Sequence, residues 1–458
     1  MFLTNPVQTN NETGTFLCTT SYLVIDMSMR ENVLLAYSTQ QMQSYVFMVT
    51  HRTSPAHFAR ECKMGLNFKN MMLILLRMVK KPAKVELMDT FYDMDKQVPS
   101  PSRQAFSKAR EKISHLAIKD LFDKSCELVV DMDTPKQYCG YRLFAIDGTT
   151  FVVDDSNDTE LVKYFGESSS VKDKAMCCLS CVVDVLDDTI VDACPSPFNQ
   201  GERALAVKQV QKLKNTADAL FLFDRGYWSE GLVQAIVNNK QKFLIRLQSN
   251  NPKVGITDEG GNFVGLRRHS FILPSGTKEI LITNIPEDEM SDDELAVLYA
   301  KRWDSLCSTL MMFEHRHIET KYLELKDRLQ IDKFSGQSTN AILQDIFATL
   351  YISNLVSFIA DTANEAIKAK TSGKDNKYQQ KVNKSVSIAT LRTRFIDIFL
   401  SDSPVQMQKQ IGESPQRHFE ECHLQRQIKT TTARQEKNQS LTTAQQQAAV
   451  VNCKLMTF

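Results

Sequence analysis

Phe144-Ala145-Ile146-Asp147-Gly148-Thr149 and Leu222-Phe223-Asp224-Arg225-Gly226-Tyr227 decide how this chain folds. In each stretch an uninterrupted apolar run ends in one aspartate. Strands covered on both faces lose the polar alternation of a half-exposed strand, so both runs read as buried strands. A carboxylate at the end of such a strand has left water on one side, and an unpaired buried charge costs several kcal/mol. It needs an ion pair, hydrogen bonds or a metal. Two such aspartates, joined by a third carboxylate from a later helix, would make a cage for hard divalent cations.

The surrounding pattern extends this frame. Strands are expected at 143–153, 176–185 and 189–193, the last two joined by the Asp187-Asp188 turn, which makes an antiparallel meander. An amphipathic helix at 202–214, a fourth strand at 219–223 and a helix at 229–239 follow. Three strands, a helix, a strand and a helix, with an aspartate on the first and fourth strands, is the order of an RNase H-like core. The fold class is therefore α/β, with the first part of that core at 141–240. Residues 241–290 return to strands (243–247, 263–266, 279–283) and read as a β insertion domain. The rest of the core, with a C-terminal helical part, is placed at 291–400. Its first helix opens with the capping box Ser291-Asp292-Asp293-Glu294.

Residues 54–133 are helical in pattern. Pro99-Ser100-Pro101-Ser102 breaks the chain, and Ser102 caps a helix carrying Arg103, Lys108, Arg110 and Lys112. A helix, a short turn and a basic second helix suit a helix-turn-helix-like DNA-binding domain. They suit a small helical bundle with a solvated basic face equally well. Residues 1–53 are polar without clear periodicity and are expected to be a poorly ordered leader. Residues 401–458 are rich in Gln, Thr and Lys with little to bury and are expected to be a disordered tail.

The totals set limits. A net charge of +1 leaves any nucleic-acid surface to local clustering of basic residues. Eleven scattered cysteines, several in apolar contexts, point to a reducing compartment and a cytoplasmic protein. Cys178 and Cys181 form a lone C-x-x-C with no second pair nearby, which reads as buried strand thiols and not as zinc ligands. The apolar stretch at 71–79 is interrupted by Arg77 and falls short of the roughly 20 residues a membrane span requires. No signal peptide or membrane partner is expected.

Three segments together resemble the catalytic blocks of DDE transposases: Tyr141 to Thr149, Leu222 to Tyr227, and Ile318-Glu319-Thr320-Lys321-Tyr322-Leu323-Glu324-Leu325-Lys326. They are most similar to the bacterial insertion sequences related to family four, with their Tyr-Arg-Glu-Lys signature. The resemblance implies metal-dependent cleavage and strand transfer at the ends of a mobile element. Asp147, Asp224 and Glu319 would be catalytic and would hold two Mg²⁺ ions, for which Mn²⁺ would substitute. Tyr299, Arg302 and Lys326 would contact DNA beside the cut, with Arg103, Lys108 and Arg110 binding DNA from the helical domain. The implied partners are double-stranded DNA, both as terminal inverted repeats and as target, and a second copy of the chain, giving a homodimer on DNA.

One departure from the family bears on activity. The family carries its signature on one helix with Glu four residues after Arg, whereas Arg302 and Glu319 are seventeen positions apart here. Thirteen extra residues would rotate a continuous helix by about 220° and lengthen it by about 20 Å. The segment 304–317 must therefore loop out if Glu319 is to reach the aspartates, or Glu314 must substitute for it. Two alternatives stay open on this ground: a catalytically impaired or inactive transposase-derived DNA-binding protein, and a metal-dependent nuclease without strand transfer.

Overall fold

The computed structural model describes residues 30–400, except 61–64, 78–81, 95–98, 132–134, 155–158, 168–173, 217, 249–254, 273–277, 304–316 and 372–380. Six helices come first: α1 (Arg30–Gln43), α2 (Tyr45–His51), α3 (Phe68–Arg77), α4 (Ala83–Met94), α5 (Arg103–Arg110) and α6 (Leu116–Val130). The α/β part follows as β1 (Arg142–Asp154), α7 (Thr159–Phe165), β2 (Ala175–Asp184), β3 (Thr189–Pro197), α8 (Glu202–Lys212), β4 (Ala219–Phe223), α9 (Glu230–Asn238) and β5 (Lys242–Leu247). Then come β6 (Gly255–Thr257), β7 (Phe263–Gly265), β8 (Arg267–Ile272) and β9 (Lys278–Thr283). Four helices close the described chain: α10 (Asp292–Trp303), α11 (His317–Leu323), α12 (Thr339–Thr371) and α13 (Lys384–Leu400).

The centre is a mixed seven-stranded sheet in the order β3-β2-β1-β4-β5-β9-β8. β1, β2 and β3 form the antiparallel meander, whereas β4 and β5 run parallel to β1. Parallel neighbours need crossovers, and α8 and α9 supply them. All five residues of β4 are buried, which is why Ala219–Phe223 reads as a continuous apolar run. At Asp187-Asp188, between β2 and β3, Asp188 takes a left-handed φ of 51°. Aspartate tolerates that region better than most residues.

The segment 241–290 does not form a separate insertion domain. β5 pairs in parallel with β4, and β9 and β8 continue the same sheet. Only β6 and β7 make a small sheet of their own. The apolar Phe243-Leu244-Ile245 is fully buried like β4 and belongs to the core for the same reason.

α12 organises the helical part. It packs on α1, α3, α6, α13 and β3, and Thr339–Ala369 is long and apolar enough to cross a membrane by composition, yet its apolar window is wholly buried inside the fold. Asn354 on α12 holds the edge strand β3: its Oδ1 accepts from Ile190 N (2.8 Å) and its Nδ2 donates to Ile190 O (2.9 Å). A side-chain amide thereby satisfies backbone groups that an uncovered edge would leave open. Arg142, at the start of β1, is buried and donates to the carbonyls of Val129 and Val130 at the end of α6 while pairing with Asp184 (3.1 Å). Sheet and helices share one continuous apolar core.

The N-terminal expectation needs amending. α1 and α2 lie within the stretch read as a poorly ordered leader, and Leu34 and Leu35 of α1 are fully buried. Their apolar spacing is too sparse to mark a helix by sequence, and packing on α6 and α12 supplies what periodicity does not. Residues 1–29 of that leader and the expected C-terminal tail lie outside the described residues.

Candidate active site

Asp147 sits within β1 and Asp224 immediately after β4. The parallel pairing sets Ala145 opposite Leu222, and continuing that register by two residues would bring Asp147 level with Asp224, just past the end of β4. Residues two apart share a face, so both follow the side to which Ala145 and Leu222 point. The backbone at Asp224 remains extended (φ −82°, ψ 170°). Each carboxylate accepts from the next backbone N–H, Asp147 Oδ1 from Gly148 at 2.9 Å and Asp224 Oδ1 from Arg225 at 2.6 Å. β4 ends one residue before Asp224, whereas β1 runs on past Asp147 to Asp154, paired there with β2.

Three neighbours of the aspartates gave no signal in the sequence. Arg246 on β5 forms a bidentate pair with Glu279 of β9 (both contacts 2.5 Å) and brings Nη1 to 3.9 Å from Asp224 Oδ1. Glu202, the first residue of α8, lies so close to Gly148 that a Cβ there would come within 2.6 Å of its carboxylate. Arg203 beside it donates from Nε to Gly226 O (2.7 Å), tying α8 to the loop after Asp224. Each sits far from its partner in sequence, and only the sheet order brings them together.

Glu319 lies in α11, whose Tyr322 reaches the same level of the sheet. The Tyr322 hydroxyl donates to the Asp147 carbonyl (2.6 Å) and accepts from Cys181 N (3.2 Å). Asp147 and Cys181 are paired across β1 and β2, so one phenol bridges that pair. Glu319 is three residues before Tyr322 and therefore on the same side of the helix. It is half-buried. α10 and α11 are separate helices in contact with one another, not one continuous rod. The segment between them, with Glu314 and nearly all of the extra residues, lies outside the described residues.

The other expected site residues divide sharply. Lys326, in a π-helical turn (Glu324–Arg328), extends Nζ to 3.4 Å from Thr150 O, beside an open groove lined by Thr150–Val153 of β1 and by Asp332, Phe334 and Gln337. Tyr299 is buried on α10 with its ring edge-on to Phe271 of β8, so the expected DNA contact is instead packed against the sheet. Arg302 belongs to α10, and its side chain lies outside the described residues. Arg103 and Lys108 are exposed on α5. Arg110 is not: it is buried, pairs with Asp345 (2.7 Å), and donates to Gln344 Oε1 and to Ala341 O on α12. A surface role in DNA binding is thus replaced by a structural one. The signal available in sequence was its place on the apolar side of α5, four residues after Phe106.

Asp147 and Asp224 offer hard oxygen donors suited to a divalent ion. Among the described residues, however, no three His, Cys, Asp or Glu side chains converge closely enough to hold a metal. The aspartate pair fits such an ion, and Glu319 does not complete a three-carboxylate cage in this arrangement. Cys178 and Cys181 are buried on β2, and burial pushes both thiols up, to about 11 for Cys178.

Residues 138–305 match the family described as the transposase DDE domain. Over these residues the chain is similar to DDE-type transposases of insertion sequences. The InsG transposase of insertion sequence element IS4 from Escherichia coli strain K12 is 22% identical over 289 residues, covering 57% of this chain and 61% of that protein. A cryo-EM structure of a piggyBac transposase synaptic complex with hairpin DNA aligns over 82% of this chain and 84% of its own, at 10% identity and a TM-score of 0.45.

Proposed function

We propose that this chain binds the ends of an insertion sequence and catalyses metal-dependent DNA strand cleavage and strand transfer. The single observation that carries this proposal is the parallel β1–β4 register, which leads Asp147 on β1 and Asp224 just past β4 toward one level within the segment matching the transposase DDE domain. Strand order β3-β2-β1-β4-β5, with the first three antiparallel and the rest parallel, supports an RNase H-like core extended by β9 and β8. Asp147 and Asp224 would hold Mg²⁺ or Mn²⁺, and Glu319 would join them. Bound there, divalent ions activate an attacking oxygen and stabilise a leaving one in an in-line displacement. The protein's own part is to hold the carboxylates level, with Gly226 tied by Arg203 and the β1–β2 pairing bridged by Tyr322. Arg103 and Lys108 are exposed cations available to phosphates, with the partly exposed Lys326 beside the groove at Thr150, and α4 with α5 forms the helical unit that would meet DNA. The partners are double-stranded DNA and a second copy of the chain, in the bacterial cytoplasm.

The absence of a three-carboxylate cluster among the described residues favours a second reading: a DNA-binding protein that keeps the fold without catalysis. Incubating the full chain with element-end DNA and Mg²⁺ or Mn²⁺ separates the possibilities. Joined strand-transfer products support the proposal, cutting alone indicates a nuclease, and salt-sensitive binding without cutting supports the second reading.

A further inference from the structure

The helix carrying Glu319 is anchored by a set of charges that the catalytic reading does not use, with Lys321 and Glu324 buried and Asp188 and Lys384 partly exposed. Lys321, on α11, has a side chain with no solvent exposure, and its Nζ lies 3.1 Å from Asp188 Oδ1, 3.2 Å from Glu324 Oε1 and 3.1 Å from Ser357 Oγ. Lys384, the first residue of α13, contacts Asp188 Oδ2 and lies 3.0 Å from Glu324 Oε2. Ser353 on α12 donates to Glu324 Oε1 (2.8 Å). Two cations face two anions, and serines satisfy remaining hydrogen-bonding capacity. Burial disfavours the Asp188 carboxylate, but Lys321 and Lys384 outweigh it and hold the group well below the usual range. The set joins four elements: the β2–β3 turn, α11 with its π-helical turn, α12 and α13. α11 is only seven residues long and follows directly on the long segment after α10, so its own backbone fixes little of its position.

We propose that Lys384 is a positioning residue for Glu319, through which the C-terminal helix α13 sets the distance of the third carboxylate from Asp147 and Asp224. This inference rests on the catalytic reading given above. Neutralising Lys384 leaves Asp188 and the buried Glu324 sharing one cation, and an uncompensated charge at Glu324 is costly. α11 then has reason to move, because shifting Glu324 toward water relieves that charge. Glu319 lies on the same short helix and must move with it. Tyr322 ties α11 to β1 independently, so the aspartate pair itself is expected to stay put.

The test compares Lys384→Met with Lys384→Arg in the full chain. Three quantities are read: backbone hydrogen exchange over residues 317–328, end-DNA affinity, and the Mg²⁺ dependence of cleavage. The Met variant should exchange faster at 317–328 with β1 and β4 unchanged. It should bind end DNA as the parent does, and it should lose about 10- to 100-fold in metal affinity or cleavage rate, the range seen when groups supporting metal ligands are removed. The Arg variant should restore parental exchange and metal dependence, with end-DNA affinity again unchanged. If the Met variant does not fold, Ser353→Ala removes one bond to Glu324 without unbalancing the charges and should give a smaller loss in the same direction. Faster exchange at 317–328 with metal dependence and rate unchanged would overturn the inference and leave Lys384 a purely structural residue. A parent chain that binds end DNA but never cuts it fails the catalytic reading first and takes the inference with it.

Discussion

The two aspartates and the glutamate approach the same level of the molecule by opposite means. Asp147 and Asp224 are fixed by the backbone: strand pairing on both sides of β1 and β4 sets their level, and buried neighbours such as Phe144, Phe221 and Phe223 hold the sheet in register. Glu319 is fixed by side chains: a phenol reaching β1, and a knot of Lys321, Asp188, Glu324 and Lys384. Slipping a strand by one residue would turn every side chain to the wrong face, so strand-borne ligands are strongly specified. A short helix held by side-chain pairs can shift by fractions of a turn when one pair is lost. In the proposed reading, two of the three carboxylates would therefore be built in with the fold and the third would be adjustable.

Substitutions can break this contrast, and the largest effect is expected at the rigid end. Asp147→Ala and Asp224→Ala should each lower cleavage by about 10³-fold or more, since a metal's charge stabilisation is worth several kcal/mol, while end-DNA affinity is kept. A variant at either position that cuts normally would remove the sheet from the chemistry. Next comes Arg110→Met, which leaves Asp345 buried without its guanidinium and should destabilise the chain by about 3–5 kcal/mol in denaturant unfolding. By contrast, the exposed pair Arg103→Ala and Lys108→Ala should change stability by no more than about 0.5 kcal/mol and instead flatten the salt dependence of DNA binding.

Tyr322→Phe sharpens the comparison at the point where the two regions meet. Removing the hydroxyl deletes its bonds to the Asp147 carbonyl and Cys181 N–H, for an expected cost of about 1–2 kcal/mol. Cleavage should fall more than stability alone explains if this bridge also places Glu319. The smallest effect is expected at Gly148→Ala. The added methyl meets only the far end of the Glu202 side chain, which is exposed and free to swing away, so the thermal midpoint should shift by the equivalent of about 0.5 kcal/mol or less. A large loss would mean that the Glu202–Gly148 approach is itself structural.

The same division marks what could be read from the sequence. β1 to β4 were legible because buried strands leave long apolar runs, and the Ser291–Glu294 capping box was legible because its hydrogen bonds are local: Ser291 N donates to Glu294 Oε2 (2.8 Å) and Glu294 N to Ser291 Oγ (3.3 Å). The place of β5, β8 and β9 in the main sheet was not, because strand order is a long-range property that no window contains. Arg110 and Tyr299 misled for a related reason. A basic or aromatic residue on a helix looks the same in sequence whether it faces water or, as here, Asp345 and Phe271. The Lys384 network joins residues almost two hundred positions apart, with nothing local to announce it.

Anomalous diffraction from crystals of the full chain bound to element-end DNA and Mn²⁺ tests the central claim most directly. The account predicts manganese between the carboxylates of Asp147 and Asp224, with the Glu319 carboxylate drawn into its coordination. Manganese bound with neither aspartate as a ligand would contradict it.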